Sequence, residues 1–263
     1  ALARLLSDVD RPKELIQLYE NALDRATGTR AVSYLFKIAQ LYEDVLGEHA
    51  LAAQTYKRVL QQDSGHLAAV HAWQRSAARA HRSRELLEAL EYEIELTVER
   101  DRLVALLHRA GEVLEEQLED RDRAIQRYRA ALDKDPRHVP TLSSLGRLYY
   151  AAGRWNDLLD VYAQELRLTS AKARRVALLQ KMAEISRDRL GSDDDALRYH
   201  REAIKVDPSH APSLQELARQ LRERGSWEEL VDVLELQLRS SSSPRMRARA
   251  AFLLGQVYEE HLE

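Results

Sequence analysis

Three histidines and three aspartates stand in register along the chain. His66, His138 and His210 each follow three residues after Asp63, Asp135 and Asp207, and every step in both columns is 72 residues. Imidazole and carboxylate are both metal ligands, so the columns invite a metal-site reading. Geometry argues against it. Zinc ligands must converge to about 2 Å from the ion. Equivalent positions two helical repeats apart are separated by about 20 Å, two helix-packing distances of roughly 8–10 Å each. The reading that survives is that each Asp ends one helix and each His enters the next.

Other chemistry is as poorly supplied. There is no Cys, hence no thiolate nucleophile, disulfide or cysteine metal site. No nucleophile elbow, phosphate loop, two-His zinc helix or EF-hand loop occurs. The acidic run "GSDDDAL" (Gly191–Leu197) lacks the alternating ligands of a calcium loop. Asp193 to Asp195 suit the N-terminus of a helix through its dipole instead. "GRWNDLLDVY" (Gly153–Tyr162) returns as "GSWEELVDVL" (Gly225–Leu234), again 72 residues on. Two active sites or one module built twice would each explain that, and the surrounding residues favour the module. No catalytic, cofactor-binding or metal-binding residue is assigned, and the chain reads as a non-enzyme with no small-molecule substrate.

The composition describes the elements that carry these residues. Of 263 residues, 32% are charged and 6% aromatic, with 9 Gly and 6 Pro. That balance suits solvated helices better than sheets, which favour aromatic and β-branched side chains. The net charge is -3 and the pI about 6.4, so no global field draws the chain to nucleic acid or anionic lipid. Thirty-three of the 40 basic residues are Arg, as a GC-rich bacterial genome would favour. No apolar run approaches the roughly 18 residues of a membrane span. The opening "ALARLLSDVDRPKEL" lacks the layout of a signal peptide, and a cytoplasmic location is expected. It also lacks an initiator Met, which suggests a piece of a longer array.

Apolar columns repeat at the same 72-residue step: Val70, Leu142 and Leu214; Leu86, Leu158 and Leu230; Leu35, Leu107, Leu179 and Ala251. Within a column set the spacing is three and four residues, the period of one helix face. Gly47, Gly153, Gly191 and Gly225 stand where a left-handed cap would close a first helix. "DKDPRH" and "KVDPSH" stand where Pro would stop a second one. Each stretch of about 36 residues therefore reads as two antiparallel helices, with small residues such as Ala39, Gly111, Gly146 and Ala183 where the pair must approach closely.

"TLSSLGRLYYAAGRW" (Thr141–Trp155), "RAIQRYRAALDKDP" (Arg123–Pro136) and "DALRYHREAIKVDP" resemble the tetratricopeptide repeat family in their Leu-Gly, Tyr, Ala, aromatic and Pro positions. The departures are Leu158 and Leu230, and Glu165 and Gln237, where that family prefers Ala. The resemblance implies an all-α fold, a right-handed α-solenoid of stacked helix-turn-helix repeats in two alternating kinds with a 72-residue double period. The expected division is a partial repeat at 1–29 and full repeats at 30–65, 66–101, 102–137, 138–173, 174–209 and 210–244. A lone first helix follows at 245–263. "SSSSPRMRARA" (Ser240–Ala250) is read as basic and flexible.

The same resemblance places the ninth residue of each first helix on a concave face. Those residues are Arg75, Arg147 and Arg219, alternating with Gln40, Glu112, Glu184 and Gln256. A ladder such as Arg147 with Glu112 and Glu184 would be structural, each exposed rung worth at most about 1 kcal/mol. Alternatively, the guanidiniums exchange partners and grip carboxylates of an incoming peptide. Beside them the groove would carry Phe36, His71, His108, Ser143, Tyr150, Gln180, Gln215 and Arg222, with Tyr150 as anchor. The Lys and Asn of the family's chaperone-tail clamp are not matched at Ser143, Arg147, Gln180 and Glu184. The function implied is a non-catalytic scaffold binding another protein's peptide segment or helix. Self-assembly through open ends and an RNA-processing scaffold of a related half-repeat family are the rivals, and nucleic acid and membrane are disfavoured as partners.

Overall fold

The computed structural model describes residues 11–262. Among the described residues it is all-helical, with fourteen α-helices and no strand. They are α1 Pro12–Leu23, α2 Thr29–Gln40, α3 His49–Gln62, α4 Leu67–Arg79, α5 Ser83–Leu96, α6 Arg100–Glu112 and α7 Arg121–Lys134. Then come α8 Val139–Ala151, α9 Trp155–Leu168, α10 Lys172–Asp188, α11 Asp193–Val206, α12 Ala211–Arg224, α13 Trp227–Ser240 and α14 Pro244–His261. The chain falls into two compact units divided between Thr141 and Leu142, within α8. In each unit the dominant packing is of a helix on its neighbours in sequence, the local connectivity of an α-solenoid.

The breakers act as their types dictate. α8 and α12 close on Gly153 (φ 66°) and Gly225 (φ 70°), left-handed positions that cost glycine nothing. Trp155 and Trp227 then open α9 and α13 and lie over those glycines, within 3.9 Å of where a β-carbon would stand. His81 and Glu119 take the same backbone shape, at φ 55° and 54°, without being glycine.

The Asp and His columns serve as helix punctuation. Asp63, Asp135 and Asp207 are the residues at which α3, α7 and α11 end. Each accepts an N–H from two residues on, Gly65, Arg137 or Ser209. His66 Nδ1 accepts the Ala69 N–H at the start of α4. His138 and His210 bond through Nδ1 to Thr141 and Ser213. Free backbone groups at helix ends need such partners.

Alternating large and small residues make the cores. In the first unit Tyr56, Trp73, Leu90, Leu114 and Tyr128 are fully enclosed. Gly111 is required there, since a β-carbon would lie 2.4 Å from the Tyr128 ring. In the second, Leu158, Leu179, Met182, Leu197, Leu214, Leu217 and Leu234 are likewise enclosed. α2 and α6 run on into single π-turns, Leu41–Val45 and Val113–Gln117. These widened turns close with Leu46 N–H to Leu41 O and Leu118 N–H to Val113 O. No helix among the described residues is long and apolar enough to cross a membrane.

The Ser-Arg segment is helical from Pro244, in line with the helix expected at 245–263 and against the flexible reading of its second half. Ser243 caps and Pro244 opens α14, so Arg245, Arg247 and Arg249 lie on a helix. Ser at the cap with Pro at the first position is a strong start signal, and it outweighs the absence of acidic residues in the first turn.

Candidate functional site

In the first unit, two buried carboxylates organise the exposed arginines. Glu43 sits in the π-turn after α2 with its side chain 1% exposed. It accepts hydrogen bonds from Tyr56 Oη at 2.9 Å and from Arg75 Nε and Nη2 at 3.1 and 3.2 Å. Burial and that bond to Glu43 together push the Tyr56 hydroxyl far above its usual titration range. Glu93 on α5 is the second, bound by Arg102 at 2.9 and 2.6 Å, Gln74 at 2.6 Å and His71 at 3.2 Å. Burial alone would raise its pKa, but the hydrogen bonds from Arg102 and Gln74 and the Arg102 charge hold it below the ordinary value. His108 on α6 bonds Thr141 and lies 3.3 Å from Glu112.

The second unit holds two grooves. The first, of about 560 Å³, is lined by α8, α9 and α10. Ser143, Arg147 and Tyr150 come from α8, Tyr162 and Glu165 from α9, and Arg174, Lys181 and Glu184 from α10. Tyr150 is 57% exposed and meets Trp155 edge to face at 5.5 Å. Glu165 is buried and bonded by Arg174 at 2.6 Å. Glu184 accepts from Gln180 at 3.0 Å.

The second groove, of about 530 Å³, lies among α12, α13 and α14. Its floor is Leu230, Leu234, Leu253 and Val257, and its walls carry Gln215, Arg219, Arg222, Trp227, Gln237, Arg245, Met246, Arg249 and Gln256. His261 stacks flat on the Trp227 ring, 3.6 Å between centroids and 5° from parallel. Arg219 is committed to its own helix, with bonds to Glu223 at 2.6 and 2.7 Å and to Glu216 at 3.2 and 2.5 Å. Glu216 is pulled down to about 2, first by that Arg219 bond, against burial, then by Gln220 and Arg187.

Arg75 reaches the preceding first helix, but at Glu43 rather than at the ninth residue Gln40, and Arg219 stays on its own helix. Arg75 bonds Glu43 and Arg219 bonds Glu216 and Glu223, because a buried or same-turn carboxylate lies closer than the ninth residue of the next first helix. Arg147, Tyr150 and Glu184 share one groove, Gln215, Arg219, Arg222 and Gln256 another. Phe36 and Gln40 line a third, and the Phe36 ring stacks on His66 at 5.0 Å. His71 is tied to Glu93. Sequence reasoning passed over Glu43, Glu93, Glu165, Arg245 and Arg249. A signal existed for two of them: a Glu inside an apolar stripe followed nine residues later by Arg, as Glu93–Arg102 and Glu165–Arg174.

Helical hairpins with these caps and small-residue contacts define a class. One tetratricopeptide repeat model matches residues 1–31 and 141–176, and a second matches 33–66. These stretches of the chain carry tetratricopeptide repeats. No curated protein matches it in sequence. Among solved structures it is similar to a tetratricopeptide repeat protein from Parabacteroides merdae, at 16% identity over 88% of this chain and 86% of that one, with a TM-score of 0.43. It is also similar to YrrB, a TPR protein with an unusual peptide-binding site, at 16% identity over 75% and 96%, TM-score 0.41. The third is PilF of Pseudomonas aeruginosa, at 16% identity over 83% and 94%, TM-score 0.39. Tetratricopeptide repeats are in general protein-interaction modules.

Proposed function

We propose that the chain is a non-catalytic scaffold that holds a peptide segment or helix of another protein, through Arg147, Tyr150 and Arg219 in the second unit and, separately, through Arg75 in the first. Further candidate contacts are His71, His108 and Glu112 in the first unit and Gln180, Glu184, Gln215 and Arg222 in the second. The observation that carries this reading is the pair of grooves in the second unit. Each combines an apolar floor or aromatic wall with exposed guanidiniums, the mix that anchors peptides through a few residues. Tyr150 is the best anchor, a large ring left 57% exposed at a groove edge.

Peptide display against the chain tests this. Selected peptides are expected to bind the chain and to lose about tenfold or more in affinity with Tyr150→Ala, since truncated anchors cost more than about 1 kcal/mol. Failure to select any peptide, or affinities indifferent to every substitution in both grooves, would remove the reading. A second reading, self-association through α14, is favoured by the exposed rings of Phe252 and Tyr258. Sedimentation of Phe252→Glu and Tyr258→Glu variants against the unaltered chain decides it: a species that stays monomeric throughout rules it out.

A further inference from the structure

The groove among α12, α13 and α14 carries more cation than its own residues can balance. Four guanidiniums line it against two carboxylates, Glu223 and Glu260. Glu223 is bonded twice by Arg219, and Glu260 lies 3.7 Å from His261. Arg222, Arg245 and Arg249 are exposed groove residues with no carboxylate partner among the described residues. Their placement is unfavourable on helical grounds. Arg245 and Arg249 lie in the opening turns of α14, at the positive end of its dipole, with no acidic residue in the first turn. They are also four apart on one helix face, where like charges repel. An incoming anion would relieve both conflicts.

Between these cations the floor is apolar. Leu234 is fully buried, and Leu253 and Trp227 are partly exposed beside it. The groove is large enough for one or two bulky side chains, at about 530 Å³. One face of Trp227 is covered by His261, which leaves that face closed to a stacking base. We infer that this groove takes an acidic peptide segment of another protein, an apolar side chain seated on Leu234 and Leu253 and flanking carboxylates held by Arg222, Arg245 and Arg249. The inference rests on the peptide-binding reading above and adds the partner's chemistry.

The test uses the full chain and arrays of peptides about twelve residues long. One set places a single Leu, Phe or Trp among Asp and Glu. A second replaces the acids with Lys and Arg, a third replaces the apolar residue with Ser, and single-stranded oligouridine is run alongside. The first set is expected to bind, with affinity falling steeply as salt rises. The triple variant Arg222→Glu, Arg245→Glu, Arg249→Glu should lose at least about tenfold for it and gain binding to the basic set, while Arg129→Glu in the first unit changes nothing. That exchange of preference also shows that the variant is folded. Peptides that bind the chain without acidic preference would overturn this inference and leave the broader reading standing. Failure of peptides of every composition would remove both. Oligouridine that binds more tightly than the acidic set and displaces it would make the partner a nucleic acid and overturn the inference too.

Discussion

The two grooves of the second unit are nearly equal in volume, about 560 and 530 Å³, and differ in how their charges are paired. In the groove of α8, α9 and α10 the buried Glu165 is bonded by Arg174. In the groove of α12, α13 and α14 the residues 72 positions further on are Gln237 and Met246, neutral both. Tyr150 is likewise matched by Arg222, Ala173 by Arg245 and Ala177 by Arg249. One groove ties its buried acid to its own guanidinium and leaves Tyr150 exposed beside it. The other has lost the internal acid and gained unpaired cations, which leaves it ready for a charge from outside. The same helical frame can therefore offer an aromatic anchor or a cluster of cations by exchanging a handful of side chains.

The largest effect tests what the grooves share. Leu158 and Leu234 are both fully buried, so Leu158→Ala and Leu234→Ala should each cost about 2–5 kcal/mol in chemical denaturation. A clear inequality would mean that the core beside one groove is loosely packed.

Next comes the internal ion pair. Arg174→Ala should destabilise by about 2 kcal/mol, because Glu165 is then left buried with its bond unmade. Gln237→Glu should cost a similar amount at the other groove, about 2 kcal/mol, and adding Met246→Arg should recover much of it. A double-mutant cycle with no coupling would show that the two grooves differ in more than these two residues.

Much of this frame was legible in the sequence, and the reason is periodicity. The glycine caps, the Asp and His punctuation and the tryptophans that open α9 and α13 are short-range signals. Backbone sterics read them in the same way wherever they occur. The site was less legible. Arg219 was assigned a partner across the groove, yet Glu216 and Glu223, three and four residues away, hold it. Helix-face spacing fixes which residues are neighbours but does not rank competing carboxylates. The Ser240–Ala250 stretch was read as flexible although a helix was expected from 245, and Ser243 and Pro244 set that helix start one residue earlier.

A smaller effect is set by pH and comes from α11, which lies in sequence between the two grooves. Burial lowers the proton affinity of His200, with Glu216 opposing and Arg187 and His210 reinforcing. The unfolded chain then takes up this proton at a higher pH than the folded one. The stability involved is in place above about 6.5, the ordinary histidine value, and is lost as pH falls below it. Thermal melts between neutral and mildly acidic pH should show the decline, and His200→Gln should flatten part of it. An unchanged slope would transfer the effect to other groups.

The smallest effect separates the grooves most sharply. Arg249→Ala should be neutral or stabilising by about 0.3 kcal/mol, since it removes a repelling charge from a helix start. The same truncation at Arg174 is costly. Equal losses at both positions would mean that Arg249 has a structural partner after all.

The widened turns at Leu41–Val45 and Val113–Gln117 bear on how such an array can change in length. Each takes up one surplus residue inside a single loop of helix, so the residues on either side keep their facing and their neighbours. A one-codon insertion at such a turn is thus contained where it falls rather than rotating everything downstream by about 100°. Lineages can lengthen or trim these hairpins by a residue without rebuilding the stack.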